Sequence, residues 1–132
     1  MDRMFNGCSS LTQLDLTNFN TNNVINMNEM FFGCSTIKYL NLSNFKTDKA
    51  VKMEGMFNRC TSLKKLDISN FNIDNVRNLE NFFEHNYWLE TVIFPNCSND
   101  KLLKLKEGLL ELKNQRENNN KSKRNNFVFI IE

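Results

Sequence analysis

The residue types that most often bind metals are few and far apart in this chain. The cysteines are Cys8, Cys34, Cys60 and Cys97. They form no CxxC pair, and the only histidine is His85. A structural zinc site needs about four such ligands at short, characteristic spacings. We therefore predict no metal site and no cofactor.

The carboxylates best placed for general acid–base catalysis are Asp15 and Asp67, which follow similar apolar patterns at distant points in the chain. If those patterns are neighbouring strands, the two groups lie two strands apart, about 10 Å, with Asn41 between them. Such an arrangement lacks the close, pKa-tuned pair that proton transfer requires. We predict no catalytic residues and a protein that is not an enzyme.

A 26-residue repeat organises these residues. Met-Phe occurs at Met4, Met30 and Met56, and Phe82-Phe83 is next in line. The repeat units span residues near 4–29, 30–55 and 56–81, with a partial unit at 82–97. We predict that residues 1–97 form a repeat domain and that residues 98–132 form a C-terminal segment.

Each unit contains two apolar patterns. The first is Leu-x-x-Leu-x-Leu, which occurs first at Leu11–Leu16. Its last two apolar residues are separated by one residue, as the alternation of a short β-strand requires. Val24, Met27, Met30 and Phe31 are spaced by three and four residues, which is typical of one face of a helix. One such unit cannot bury its own apolar side, so the units must stack. We expect an α/β repeat, a leucine-rich-repeat solenoid in which each unit supplies a short parallel strand and a helical segment.

The recurring pattern MFxGCSSLxxLDLSNFNTxxVxxM resembles the BspA-like leucine-rich repeat, a repeat of mycoplasma lipoprotein-associated and other surface proteins. The resemblance covers about residues 4 to 97. Units three and four depart from it, with Arg59 in place of Gly and His85-Asn86 in place of Gly-Cys. The resemblance implies a repeat fold and a surface or secreted adhesion protein.

Two polar residue types recur at fixed positions. The first three cysteines fall at one position per unit, which predicts reduced thiols buried at a tight corner. Asn18, Asn44, Asn70 and Asn96 fall at the end of each strand, where a side-chain amide is suited to bonding the backbone of a neighbouring unit. Both series are predicted to be structural.

Strand residues that point away from the core form columns on one open face when units stack. We predict that this face binds a protein partner, with Tyr39 as its best anchor because tyrosine is enriched at binding hot spots. The candidate residues are Gln13, Asp15, Lys38, Tyr39, Asn41, Lys64, Lys65, Asp67 and Thr91.

The C-terminal segment carries different patterns. Leucines from Leu102 to Leu112 predict an amphipathic helix over Lys101–Asn114 that caps the repeats. Gln115–Asn126 reads as a polar Asn- and Lys-rich linker, and Phe127–Ile131 as a terminal strand that pairs with the last unit. The basic cluster Lys121–Arg124 is typical of a solvated loop, so no nucleic-acid partner is expected.

The net charge is +2, and no apolar run approaches the length of a membrane span. The chain shows no signal peptide, and its first unit begins without a polar cap, which favours end-to-end association there. The function expected is a non-enzymatic protein-interaction module of the cell surface or a secreted protein, or a fragment of one. The alternative is an intracellular, cytoplasmic leucine-rich-repeat scaffold or effector.

Overall fold

The computed structural model describes residues 1–96, 99–119 and 128–131. Its elements are β1 (Tyr39–Asn41), β2 (Lys65–Asp67), β3 (Thr91–Phe94), α1 (Asp100–Asn119) and β4 (Val128–Ile131). The four strands form one parallel sheet in the order β1-β2-β3-β4. Leu40, Leu66 and Val92 lie in register across the first three strands, so equivalent residues of successive units lie side by side.

The other half of each unit is a stack of turns. We call residues 1–8, 27–34, 53–60 and 79–86 the turn segments and their stack the turn ladder. Alternate backbone N–H groups in one turn segment donate to carbonyl oxygens in the next. The Phe31 N–H, for example, donates to the Met56 oxygen at 3.0 Å, and the Phe57 N–H donates to the Phe82 oxygen at 3.1 Å.

The predicted helical segment after each strand is therefore wrong. In an α-helix each N–H donates to the carbonyl oxygen four residues earlier. Here alternate N–H groups donate instead to carbonyl oxygens of the next unit. The remaining groups close four-residue β-turns, as in the 3.1 Å bond from the Cys34 N–H to the Phe31 oxygen. Successive turns place apolar side chains on one side at spacings of three and four, which imitates a helical pattern.

Each turn segment has two residues in the left-handed region, where φ is positive. The first position holds Arg3, Glu29, Gly55 and Asn81, and the second holds Gly7, Gly33, Arg59 and His85. Left-handed residues interrupt a right-handed helix and are least costly as glycine. This requirement explains the glycine of the repeat pattern, and it is met at a conformational cost where Arg59 and His85 stand instead.

Large apolar side chains between the sheet and the turn ladder form the core. Phe5, Phe31, Phe57 and Phe83 stack face to face, with successive ring centroids 5.5, 5.6 and 6.1 Å apart. Offset stacking at such distances is favourable beyond the burial of apolar area. The stack therefore holds the four turn segments in register from inside, as the backbone hydrogen bonds do along their edge.

The first unit lacks its predicted strand. Leu11–Leu16 forms no strand, and β1 pairs only with β2. Side chains of the second unit attach this segment instead: the Thr36 hydroxyl donates to the Leu11 oxygen at 2.9 Å, and the Asn44 amide donates to the Leu16 oxygen at 2.8 Å. The Asn44 contact and the bond from the Asn70 amide to the Ser43 oxygen confirm the predicted role for these two members of the asparagine series.

Helix α1 covers the last unit. It buries Leu102, Leu105 and Leu109, and the Asn99 side chain caps its first turn by accepting from the Leu102 N–H at 2.8 Å. It is longer than predicted: residues 115–119 are helical rather than linker, since Arg116 stacks on Trp88 and Lys113 pairs with Glu117. Among the residues described, no helix is both long and apolar enough to cross a bilayer.

Strand β4 pairs in parallel with β3, which confirms the expected pairing of the terminal strand over Val128–Ile131. The backbone register joins Thr91 to Val128 and Phe94 to Ile131. Several residues that carry predictions lie outside the described residues: Cys97, the rest of the linker with its cluster Lys121–Arg124, and Phe127.

Gly33→Ala tests the turn ladder. At Gly33 the backbone has φ 69°, and an added Cβ would meet nothing closer than 3.8 Å, so the substitution imposes conformational strain without a clash. We expect the free energy of unfolding to fall by about 1–2 kcal/mol. Gly108→Ala is the matched control, because Gly108 lies within α1, and it should raise that free energy by about 0.5–1 kcal/mol. Equal effects from the two substitutions would contradict the left-handed assignment.

The cap can be tested with two adjacent leucines. Leu109 is buried and Leu110 is 48% exposed, although both lie in α1 and their helix propensities are the same. In urea unfolding, Leu109→Ala should lower the free energy of unfolding by about 2–5 kcal/mol, and Leu110→Ala should change it by less than about 0.5 kcal/mol. If both cost little, α1 does not cover the core.

Candidate functional site

The predicted binding face lies along the sheet. The register places Tyr39, Lys65 and Thr91 side by side in one row, and Asn41 beside Asp67 in another. Tyr39 is 65% exposed, the highest value among the exposed large hydrophobic residues. Lys38, Asn41 and Lys65 are also exposed, while Lys64, Asp67 and Thr91 are half-buried. The structure thus brings seven of the nine candidates together on the strands or at their start.

Gln13 and Asp15 are exposed but lie in the first unit, outside the sheet. Their backbone is not held in the strand register, because that segment is attached through side chains alone. The regular part of the face therefore begins at the second unit, with Tyr39 on its first strand.

Three of the nine candidate side chains already accept hydrogen bonds from the protein's own backbone. Asp15, Asn41 and Asp67 each accept a hydrogen bond from the backbone N–H two residues later, at 3.0, 2.9 and 3.0 Å. These bonds turn the chain where the strand ends. The backbone N–H and hydroxyl of Thr17 lower the pKa of Asp15 by bonding its ionised form. These side chains shape the turns, and they are less available to a ligand than Tyr39 and Lys65 are.

The basic and acidic groups of the face are interspersed. Lys64 lies 3.5 Å from the Glu90 carboxylate. The described residues contain no group of three or more His, Cys, Asp or Glu placed to hold a metal ion. The arrangement offers an exposed aromatic side chain, Tyr39, with Lys65 as a flanking cation.

The cysteine series occupies the corner between turn segment and strand. Cys8, Cys34 and Cys60 carry free thiols; Cys34 and Cys60 are buried, and Cys8 is half-buried. The Cys34 thiol donates to the Phe5 oxygen at 3.2 Å and the Cys60 thiol to the Phe31 oxygen at 3.1 Å. In the fourth unit the Asn86 amide makes the equivalent bond to the Phe57 oxygen at 2.8 Å. The position thus needs a small donor that reaches the previous unit.

A family comparison adds to this picture. The model of a family described as "Mycoplasma protein of unknown function, DUF285" matches residues 1–101. The chain belongs to the DUF285 family. No curated protein and no solved structure matched it. The DUF285 match covers all four turn segments and three strands, and it ends at the start of α1.

Sequence reasoning missed several inter-unit contacts in this DUF285 chain. Thr21 and Thr47 are buried and bridge neighbouring units. The Thr47 hydroxyl donates to the Asn72 oxygen at 2.8 Å and accepts from the Asn72 N–H at 2.7 Å. The sequence did contain an indication of these bonds, because threonine recurs at the same position in two units. A recurring polar residue in a buried register indicates an inter-unit bond.

Burial gives the cysteine series a pH signature. Desolvation raises the pKa of the Cys34 thiol to about 11, and it raises the pKa of Cys60 as well. An unfolded thiol ionises near pH 8.5, so the folded state retains more protons between that pH and about 11 and loses stability as pH rises there. Replacing both residues by Ala should flatten this alkaline loss in urea unfolding at a series of pH values.

The Cys8→Ala variant is the control for that series, since Cys8 is half-buried; it should keep the alkaline loss. If the double variant lost stability with pH as steeply as the wild type does, the two thiols would not be the groups responsible.

Proposed function

We propose that this chain is a BspA-like leucine-rich-repeat solenoid, a non-enzymatic module that binds a protein partner through its strand face. The observation that carries the proposal is the setting of Tyr39. This side chain is 65% exposed, yet its backbone is fixed in the parallel register with Lys65. A large aromatic group on a rigid strand gives contact area at little cost in conformational entropy.

Several features support the choice of this face over others. Asn41 and Asp67, the polar neighbours of Tyr39 and Lys65, each have a side-chain oxygen that is already bonded to the chain, so those two oxygens are not free acceptors that a partner must desolvate. The backbone of β2 is paired with a strand on each side. A partner would therefore recognise the side chains of this strand rather than its backbone. The interspersed charges favour a mixed protein surface over a polyanion.

The cellular location of the protein has two candidates. Resemblance to BspA-like surface repeats supports a surface or secreted adhesion protein. The free thiols favour the second candidate, an intracellular scaffold or effector, because thiols persist most readily where the cell is reducing. Labelling intact cells with a membrane-impermeant biotin reagent distinguishes them: a surface protein is labelled before lysis, and an intracellular one only after it.

The binding face is tested by two matched double variants used as bait. Tyr39→Ala with Lys65→Ala removes an aromatic group and a cation from the strand face. Ile25→Ala with Arg77→Ala removes an exposed apolar group and a cation from the turn-ladder side. Proteins captured from extracts of the source cell and of a host are identified by mass spectrometry. All four side chains are exposed, so both variants should unfold at the wild-type denaturant midpoint, within about 0.5 kcal/mol per substitution.

We expect the strand-face variant to lose its partner, with an affinity loss of at least about 2 kcal/mol, and the control variant to retain it. Loss of the partner in the Ile25 and Arg77 variant, with full binding in the Tyr39 and Lys65 variant, would move the site to the turn-ladder side and overturn the proposal.

A further inference from the structure

The last turn segment ends the turn ladder with an unused row of donors. In the described part of the chain, the backbone N–H groups of Asn81, Phe83 and His85 donate no hydrogen bond. One unit earlier, the equivalent Phe57 N–H donates to the Phe82 oxygen. Three donors that are satisfied in every preceding unit therefore lie at this edge without a partner among the described residues, and donors in that state favour binding an acceptor.

The reason is the change of structure after the fourth unit. By the 26-residue register, the acceptors for these groups would be carbonyl oxygens in residues 106–110. Those residues belong to α1, whose carbonyls are used inside the helix. The helix covers the apolar core but supplies no backbone acceptor to the edge of the turn ladder.

A cavity of about 380 Å³ separates the donors from α1. This volume is within the usual range of ligand pockets, roughly 300–1,000 Å³. The donor residues line one side, and Lys104, Gly108 and Glu111 line the other. The cavity lies between the last unit and the helix, and none of the strand-face candidates lines it.

Gly108 lies on the helix side of the cavity. The other three glycines have positive φ, so their backbone requires them. Gly108 lies inside α1, where glycine costs stability relative to alanine, and a Cβ built there meets nothing within 4 Å. The position therefore has room for a side chain larger than that of glycine.

We propose that this cavity binds a short peptide segment of a partner protein through its backbone carbonyl oxygens. The donors are on alternate residues, and alternate carbonyls of an extended peptide lie on one side of its chain. The peptide would thus add one more rung to the turn ladder, as a strand adds to a sheet edge. Glu84 and Glu111 line the cavity together with Lys104, and this mixed charge disfavours a free anion and suits a neutral amide carbonyl.

The test uses the full chain labelled with ¹⁵N and the capped tripeptide acetyl-Ala-Ala-Ala-amide as probe. We expect saturable shifts of the amide resonances of Asn81, Phe83 and His85. The amide resonance of Phe57 should not shift, because its N–H already donates to the next unit. A parallel titration with inorganic phosphate should leave all of them unchanged.

Gly108→Leu should fill the cavity and weaken peptide binding by at least about tenfold, while Gly108→Ala should bind within about threefold of the wild type. Gly108→Gln replaces the leucine variant if that one does not fold. The proposal is overturned if the three amides show no saturable shift with the peptide, if phosphate shifts them and the peptide does not, or if binding survives the larger side chains.

Discussion

Hydrogen bonding between units, rather than within them, is the constraint on which this structure depends. Alternate N–H groups of the first three turn segments donate to a residue 25 positions later, as Phe31 does to Met56. A unit on its own would leave those donors without partners, at the cost that an unpaired buried N–H carries. A fixed repeat length follows, since an insertion in one unit would break the register of every bond to its neighbours.

The polar residues of the interior serve the same register. Cys34 and Cys60 donate back to the previous unit, Thr47 bonds forward to the next, and Asn44 reaches back from the strand exit. Each is small and bonded across a unit boundary, so the interior tolerates them without the usual penalty for burying a polar group. Where the repeat changes, at Asn86, the replacement keeps the bond and alters only the donor.

Much of this arrangement could be predicted from the sequence, because periodic burial leaves a periodic pattern. The 26-residue period, the buried positions Leu40 and Leu66, the asparagine contacts and the pairing of β4 all follow from residue types at fixed intervals. The helical segments were mispredicted for a physical reason: consecutive turns and an amphipathic helix share spacings of three and four, and only the left-handed residues tell them apart. Glycine at one of those positions was the available signal.

The candidate face was predictable only in part. Alternation along a strand shows which side chains point outward, and it placed Tyr39 and Lys65 correctly in one row. It does not show which outward polar groups are already bonded to the chain itself, as Asp15 and Asp67 are. The unused donors of the last unit could not be foreseen at all, since they depend on where the chain changes from turn segment to helix.

Scalar coupling across hydrogen bonds tests the central claim most directly. In ¹³C,¹⁵N-labelled protein, the structure predicts a through-bond coupling between the amide nitrogen of Phe31 and the carbonyl carbon of Met56, and another between Phe57 and Phe82. A coupling from Phe31 to the carbonyl of Met27, four residues earlier, would indicate an α-helix there. That result would contradict the turn ladder and the register that depends on it.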